Sequence, residues 1–277
     1  RQCLAAILSS TLKPKEIIVV DNNSSDFPDA DIEKIKKISK STRVDLRIIK
    51  SSTNLGFGKA VNLASKEARG NALVLINPDF LVDKTSLETI SNFAKKRWSY
   101  LGAVGGRSRS YDGKSTEKTV ANIPTKSTLL VEFTSLKKIF EAFGFSNPSH
   151  FWNTETICSP LKNKKVGAVS GCFMLIKKGT FRKIGGFDEK FFLYLEDLDL
   201  CKRLQSLGLN NFYVPSATGK HYGGGSSKKS PYKIDEKAWN NSKRYYCLKH
   251  HKTFGKMFIV LFFVDDLIVK IKKKLFL

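Results

Sequence analysis

Acidic residues are scarce in this sequence. Only 25 aspartates and glutamates stand against 48 lysines and arginines, a formal charge of +23. The imbalance argues for an anionic partner: nucleic acid, anionic lipid head groups or phosphorylated substrates. Cysteine is sparse and scattered. The five (Cys3, Cys158, Cys172, Cys201, Cys247) are odd in number and never spaced C-x-x-C. That pattern argues against a zinc site or a disulfide framework and fits a reducing compartment. No signal-peptide pattern is present. No apolar run reaches the roughly 20 residues needed to cross a bilayer. Neither a Walker loop nor the G-x-G-x-x-G fingerprint occurs.

The chain has 277 residues, of which 41% are hydrophobic. That is enough for one large α/β domain, or a domain with a subdomain, and it excludes wholesale disorder. Ala72–Ile76 is a short unbroken apolar run and reads as a buried parallel strand. Asn77-Pro78 stops it and delivers Asp79 at its carboxyl end, the edge where open α/β sheets bind ligands. Glu16–Val20 is a second such run, ending in Asp21 and followed by turn-forming and capping residues from Asn22 to Asp26. Strands and helices alternate as far as Val104, which predicts a doubly wound parallel sheet. Residues 107–160 are polar and irregular and read as a long excursion over the same edge.

Asn54-Leu55-Gly56-Phe57-Gly58-Lys59 is a loop opening a helix. Its glycines let backbone amides approach a phosphate, with Lys59 at the helix start. Val166–Ile176 is strand-like, and its glycines at 167 and 171 mark a bulge or a close approach. Glu196-Asp197-Leu198-Asp199 opens a further helix. Asp197 falls on the same stripe as Leu193, Leu200, Leu204 and Leu207. A carboxylate there must be paired, capped or functional. Asp199 sits four residues before Arg203 and reads as a surface pair. His221 precedes a glycine-rich run, Gly223-Gly224-Gly225-Ser226-Ser227, and could meet a cation held by Asp79. His250 and His251 read as surface residues of a basic helix. Apolar residues from Met257 to Val264, beside lysines 270 and 272–274, read either as an interfacial helix on an anionic membrane or as a helix docked on the core.

Taken in order, Glu16–Ser24, Asn54–Gly58, Leu75–Asp79, Gly185–Phe192, Glu196–Cys201 and His221–Ser226 resemble the GT-A nucleotide-sugar glycosyltransferases. The similarity is to glycosyltransferase family 2 of the rhamnosyltransferase-like kind. It implies an α/β GT-A fold, a Rossmann-like, mostly parallel sheet flanked by helices. Residues 1–225 would form that domain, with 1–106 the nucleotide-sugar half and 107–225 the acceptor half, and 226–277 a basic helical extension. It also implies roles. Asp21, Asn22, Asn54, Gly56, Lys59, Asn77 and Asp79 would bind the nucleotide sugar. Asp79 and His221 would hold Mg²⁺ or Mn²⁺. Asp197, paired with Glu196, would be the catalytic base. Asn77 stands where the family carries the first acid of its D-x-D motif. The family's first strand precedes a helix corresponding to that at Cys3, so it is expected outside this sequence, which begins at Arg1.

The implied reaction is inverting, metal-dependent transfer from dTDP-rhamnose or a UDP-sugar to a hydroxyl of a saccharide or lipid-linked saccharide, in cell-surface polysaccharide synthesis. The implied place is the cytoplasm, peripheral to the inner face of the membrane. The rival readings are a nucleotidyltransferase, which would want an arginine-rich phosphate loop, and a non-catalytic nucleic-acid- or membrane-binding protein on a degenerate glycosyltransferase fold. No base-reading motif supports nucleic acid as the partner.

Overall fold

A computed structural model describes residues 2–25, 29–132, 134, 136, 143–144, 162–222, 232–252, 254–258 and 260–263. Cys158, the glycine-rich run after Tyr222 and the lysine-rich tail from 264 onward lie outside the described residues. In chain order the elements are α1 (Gln2–Leu8), β1 (Glu16–Asp21), α2 (Asp29–Ser41), β2 (Asp45–Lys50), α3 (Phe57–Glu67), β3 (Ala72–Ile76), β4 (Phe80–Val82) and α4 (Ser86–Lys95). There follow β5 (Leu101–Ser110), β6 (Val120–Ala121), α5 (Lys126–Glu132), β7 (Lys164–Val166), β8 (Ala168–Val169), β9 (Phe173–Lys177), α6 (Lys178–Lys183), α7 (Glu196–Ser206), β10 (Asn210–His221) and α8 (Tyr232–His250).

The main sheet runs β3-β9-β5-β10-β4, with β7 also pairing β10. The α/β layout is the expected one, but strand direction is mixed where mostly parallel pairing was expected. β5 and β10 are parallel, whereas β9 is antiparallel to both β3 and β5. The cause is connectivity: β9 is reached from β5 by way of β6, α5, β7 and β8, a longer path than the βαβ unit that fixes parallel entry. β1 and β2 pair in parallel as a separate two-stranded sheet. Glu16, which opens β1, accepts the N–H groups of Arg69 and Gly70 just ahead of β3, at 2.6 and 2.9 Å. These bonds set the two sheets side by side with their starting ends together.

Helices cover both faces. Cys3 and Ile7 of α1 pack with Phe80, Val82 and Ile90, while Leu4 and Leu8 cover β1 and β2. On the other face Leu200 and Leu204 of α7 and Tyr246 and Cys247 of α8 share one cluster with Met174 and Ile176. The aliphatic runs do form strands, but not the buried parallel ones expected: β1 is half-buried along most of its length, and β3 is antiparallel to β9 with Ala72 and Val74 exposed.

Two surface readings are overturned. Asp199 has no solvent exposure. It accepts hydrogen bonds from Arg203 Nε at 2.8 Å and His250 Nε2 at 2.7 Å, with Lys249 Nζ at 2.6 Å. His250 is correspondingly half-buried against α7 rather than exposed. These cations hold the Asp199 carboxyl down to about 2 despite its burial. The four free cysteines among the described residues are buried. Burial pushes the Cys172 thiol up to about 12, so it is inert.

Candidate active site

The site is built where β1, β3 and β10 end. After β3, the Asn77 carbonyl accepts the Phe80 N–H at 3.0 Å, closing a tight turn over Pro78-Asp79. The turn is real local chemistry, and it also presents Asp79. The Asp79 carbonyl accepts the Tyr222 N–H at 3.0 Å, which ties the turn to the end of β10. His221 Nε2 therefore stands 3.2 Å from Asp79 Oδ1. Its Nδ1 is 2.8 Å from Glu117 Oε2. Bonding to Asp79, then to Glu117, raises the imidazole to about 9. Sequence reasoning missed Glu117. The Asp112-Gly113 pair ahead of it is a hairpin signal. With Gly113 at φ 73° it folds the chain back, so that Glu117 N–H bonds to Ser108 O at 2.9 Å.

The residues expected on the donor side form one loop system. Asp21 is buried, and its Oδ1 accepts the Ser24 N–H at 2.9 Å. Asn22 accepts the Leu55 N–H at 2.8 Å and donates to Asn54 Oδ1 at 3.0 Å. Asn54 Oδ1 takes the Gly56 N–H at 3.0 Å, and Phe192 O takes that of Phe57 at 3.0 Å. The amides of 55, 56 and 57 are thus used inside the protein, and Lys59 is the exposed cation of the first helical turn. Gly56 has φ 78°, and a Cβ there would lie 2.3 Å from Phe192 O. Only glycine fits.

Glu196 and Asp197 open α7 behind two consecutive left-handed residues, Tyr194 (φ 71°) and Leu195 (φ 66°). Each costs about 1–3 kcal/mol. Packing holds them there: Leu195 is buried and Tyr194 meets Trp239 edge-on at 5.6 Å. Asp197 Oδ2 accepts the Gly171 N–H at 3.1 Å and Oδ1 the Leu198 N–H at 2.8 Å. Cys172, the next residue, accepts the Asn77 N–H at 3.0 Å. Residues 171 and 172 therefore join Asp197 to the Asn77–Asp79 turn. A Cβ on Gly171 would lie 3.0 Å from the Phe57 ring, so a side chain there would require that ring to shift.

Both acids of the pair titrate above the ordinary carboxylate range. Burial and then the Asp197 charge raise Glu196, whose Oε2 has no hydrogen-bond partner among the described residues. Burial raises Asp197, opposed by the N–H groups of Gly171 and Leu198. The N–H groups of Gly171 and Leu198 favour the ionised form of Asp197. The arrangement offers one carboxylate able to accept a proton, beside a second acid on the same sheet edge.

Among the described residues no cluster of three or more metal-ligating side chains occurs. Asp79 and His221 nonetheless fit a divalent cation. Two neighbouring ligands at about 2.1 Å from an octahedral ion lie about 3 Å apart, close to the 3.2 Å found. A two-residue site suits an ion that takes its other ligands from phosphates and water.

The description "Glycosyl transferase family 2" matches residues 1–185. "N-terminal domain of galactosyltransferase" matches residues 161–223. The N-acetylglucosaminyl-diphospho-decaprenol L-rhamnosyltransferase of Mycobacterium tuberculosis (strain ATCC 25618 / H37Rv) is 29% identical over 242 residues, covering 82% of this chain and 73% of the relative. Rhamnosyltransferase WbbL of Escherichia coli (strain K12) is 27% identical over 179 residues, covering 60% and 61%. Among solved structures, mannosyltransferase PcManGT from Pyrobaculum calidifontis in complex with GDP-Man and Mn²⁺ superposes with a TM-score of 0.52 at 16% identity, covering 79% of this chain and 52% of that one. GalNAc-T7 with UDP, GalNAc and Mn²⁺ gives a TM-score of 0.51 at 13% identity, covering 75% and 37%. These two likenesses establish the fold. The family match spans well over half of the sequence, and the chain belongs to glycosyl transferase family 2 and is a glycosyltransferase.

Proposed function

We propose that this enzyme moves a sugar from a nucleotide diphosphate sugar to a hydroxyl of a saccharide acceptor, with inversion, in polysaccharide synthesis. The observation that carries this reading is the bridge of residues 171–172 between Asp197 and the Asn77–Asp79 turn. It puts a candidate base beside the edge where the donor would lie. Asp197, as base, takes the proton of the acceptor hydroxyl while that oxygen attacks the anomeric carbon. The bond to the diphosphate breaks on the opposite face. Glu196 stays protonated and keeps the pair from carrying two charges. Asp21, Asn22, Asn54, Gly56, Lys59 and Asn77 bind the donor, with Lys59 meeting the diphosphate. Asp79 and His221 hold Mg²⁺ or Mn²⁺, which when bound supplies Lewis-acid stabilisation of the leaving diphosphate.

The two named rhamnosyltransferase relatives favour dTDP-rhamnose as donor, with UDP-sugars next. The M. tuberculosis relative's name favours a lipid-linked saccharide as acceptor. No helix among the described residues is long and apolar enough to cross a membrane. The chain after α8 supports a surface attachment instead. In residues 254–263, Phe258 and Phe262 are buried in the core, whereas Met257, Val260 and Phe263 are exposed. One face docks and the other meets an anionic membrane at its inner leaflet.

A thermal-shift panel of dTDP-, UDP- and GDP-sugars with and without Mn²⁺ identifies the donor. Release of nucleoside diphosphate from the stabilising donor, dependent on a saccharide acceptor, then tests transfer. If every donor leaves the melting temperature unchanged, the reading fails. For the membrane, flotation with phosphatidylglycerol vesicles should be lost in a Met257→Ser, Val260→Ser, Phe263→Ser variant.

A further inference from the structure

We propose that Glu117 is a positioning residue for the cation site: it fixes the His221 ring so that Nε2, and not Nδ1, faces Asp79. The inference rests on the reading of Asp79 and His221 as cation ligands. An imidazole has two chemically similar nitrogens, and it offers a chosen one only if the other is held. The Nδ1 of His221 is held by Glu117 Oε2 at 2.8 Å, and Nε2 points to Asp79 Oδ1 at 3.2 Å.

Glu117 is itself fixed from two sides. Its N–H bonds to Ser108 O at 2.9 Å, and the Ser108 hydroxyl donates to Oε2, the same oxygen that meets His221. Ser108 is buried in β5, the central strand that pairs with β10 in register Ser108↔Gly219. The hairpin that returns Glu117 is closed by Ser110 N–H to Ser115 O at 2.9 Å and by the Arg109↔Thr116 bridge. A rigid strand thus sets Glu117, Glu117 sets the ring, and the ring sets the nitrogen presented beside Asp79. Phe80, 5.9 Å from the ring centroid, limits its tilt from the other side. Within the hairpin the Glu117 carboxylate meets only the Ser108 hydroxyl, which aims it; the ring of His221 is what it is aimed at.

Mn²⁺ titrated into the protein with dTDP or UDP, followed by electron paramagnetic resonance, separates these roles. Outer carboxylates of this kind govern metal affinity by about 10–100-fold. Glu117→Ala should weaken Mn²⁺ binding by that amount, and its transfer activity should recover as Mn²⁺ is raised. Glu117→Gln, which keeps an acceptor oxygen for Nδ1–H, should fall between the alanine variant and the parent. Unchanged Mn²⁺ affinity in Glu117→Ala overturns the proposal. If Glu117→Ala does not fold, Glu117→Gln decides, and parental affinity there overturns it too. Asp79→Asn run in parallel separates the two levels. If it also leaves Mn²⁺ binding intact, the cation reading itself falls. If it abolishes binding while Glu117→Ala does not, only the role of Glu117 falls.

Discussion

Gly171 donates its backbone N–H to Asp197 Oδ2 at 3.1 Å across 26 residues of sequence. Its neighbour Cys172 accepts from Asn77 at 3.0 Å. Asp197 and the Asn77–Asp79 turn are thereby locked to one dipeptide, and a shift in either is felt by the other.

In the proposed mechanism the carboxylate at 197 is the group that must be ionised. Asp197→Asn keeps one oxygen, enough for only one of the Gly171 and Leu198 N–H groups, and cannot take a proton. Transfer should drop by about 10²–10⁴-fold, the usual contribution of a positioned general base. The donor dissociation constant should stay near the parent's. Glu196→Gln, an isostere of the acid that the proposed mechanism keeps protonated, should keep far more activity. Single-turnover release of nucleoside diphosphate checks both, and near-parental transfer by Asp197→Asn would falsify the assignment.

His221 gives the metal-free protein a pH-dependent stability of known sign. Its folded-state pKa of about 9 lies above the ordinary 6.5. The stabilisation is therefore complete below about 6.5 and is lost as pH rises through about 9. In the presence of a chelator, the parent should lose melting temperature between these limits relative to His221→Gln. Parallel curves for the two proteins count against the ion-paired imidazole.

Removing the buried anion that α8 grips should be severe. Asp199→Ala leaves Arg203, Lys249 and His250 without their shared partner. Breaking a buried pair from one side costs about 3–5 kcal/mol. Urea unfolding of the parent and variant measures it, and a loss below about 1 kcal/mol would place the network among exposed pairs of little worth.

Gly56→Ala forces a Cβ against Phe192 O at a positive φ. The cost in stability should exceed about 1 kcal/mol. The Asn22–Asn54 loop would also move, so the donor KM should rise more than kcat falls. Steady-state kinetics against donor concentration shows whether this is so.

Much of this was readable from the chain. The apolar runs ending in Asp21 and Asp79 declared two strands and the edge they serve, although their unbroken pattern overstated how deeply they are buried. Strand direction was not readable: Phe173–Lys177 looks the same whichever way it enters a sheet. The Asp199–Arg203 spacing looked like surface chemistry because the residues that bury it, Lys249 and His250, lie about fifty positions away. Glu117 carries no local mark at all in its Ser-Thr-Glu-Lys stretch. Its importance comes from a hairpin and a strand register that only folding brings together.

The left-handed pair at Tyr194 and Leu195 has a consequence for heat inactivation. The segment that bears Asp197 has more to gain by relaxing than the sheet beneath it, and its restraint is an edge-on contact with Trp239 on the last long helix. Warming should therefore silence turnover before the secondary structure melts, with the indole's fluorescence reporting the earlier event.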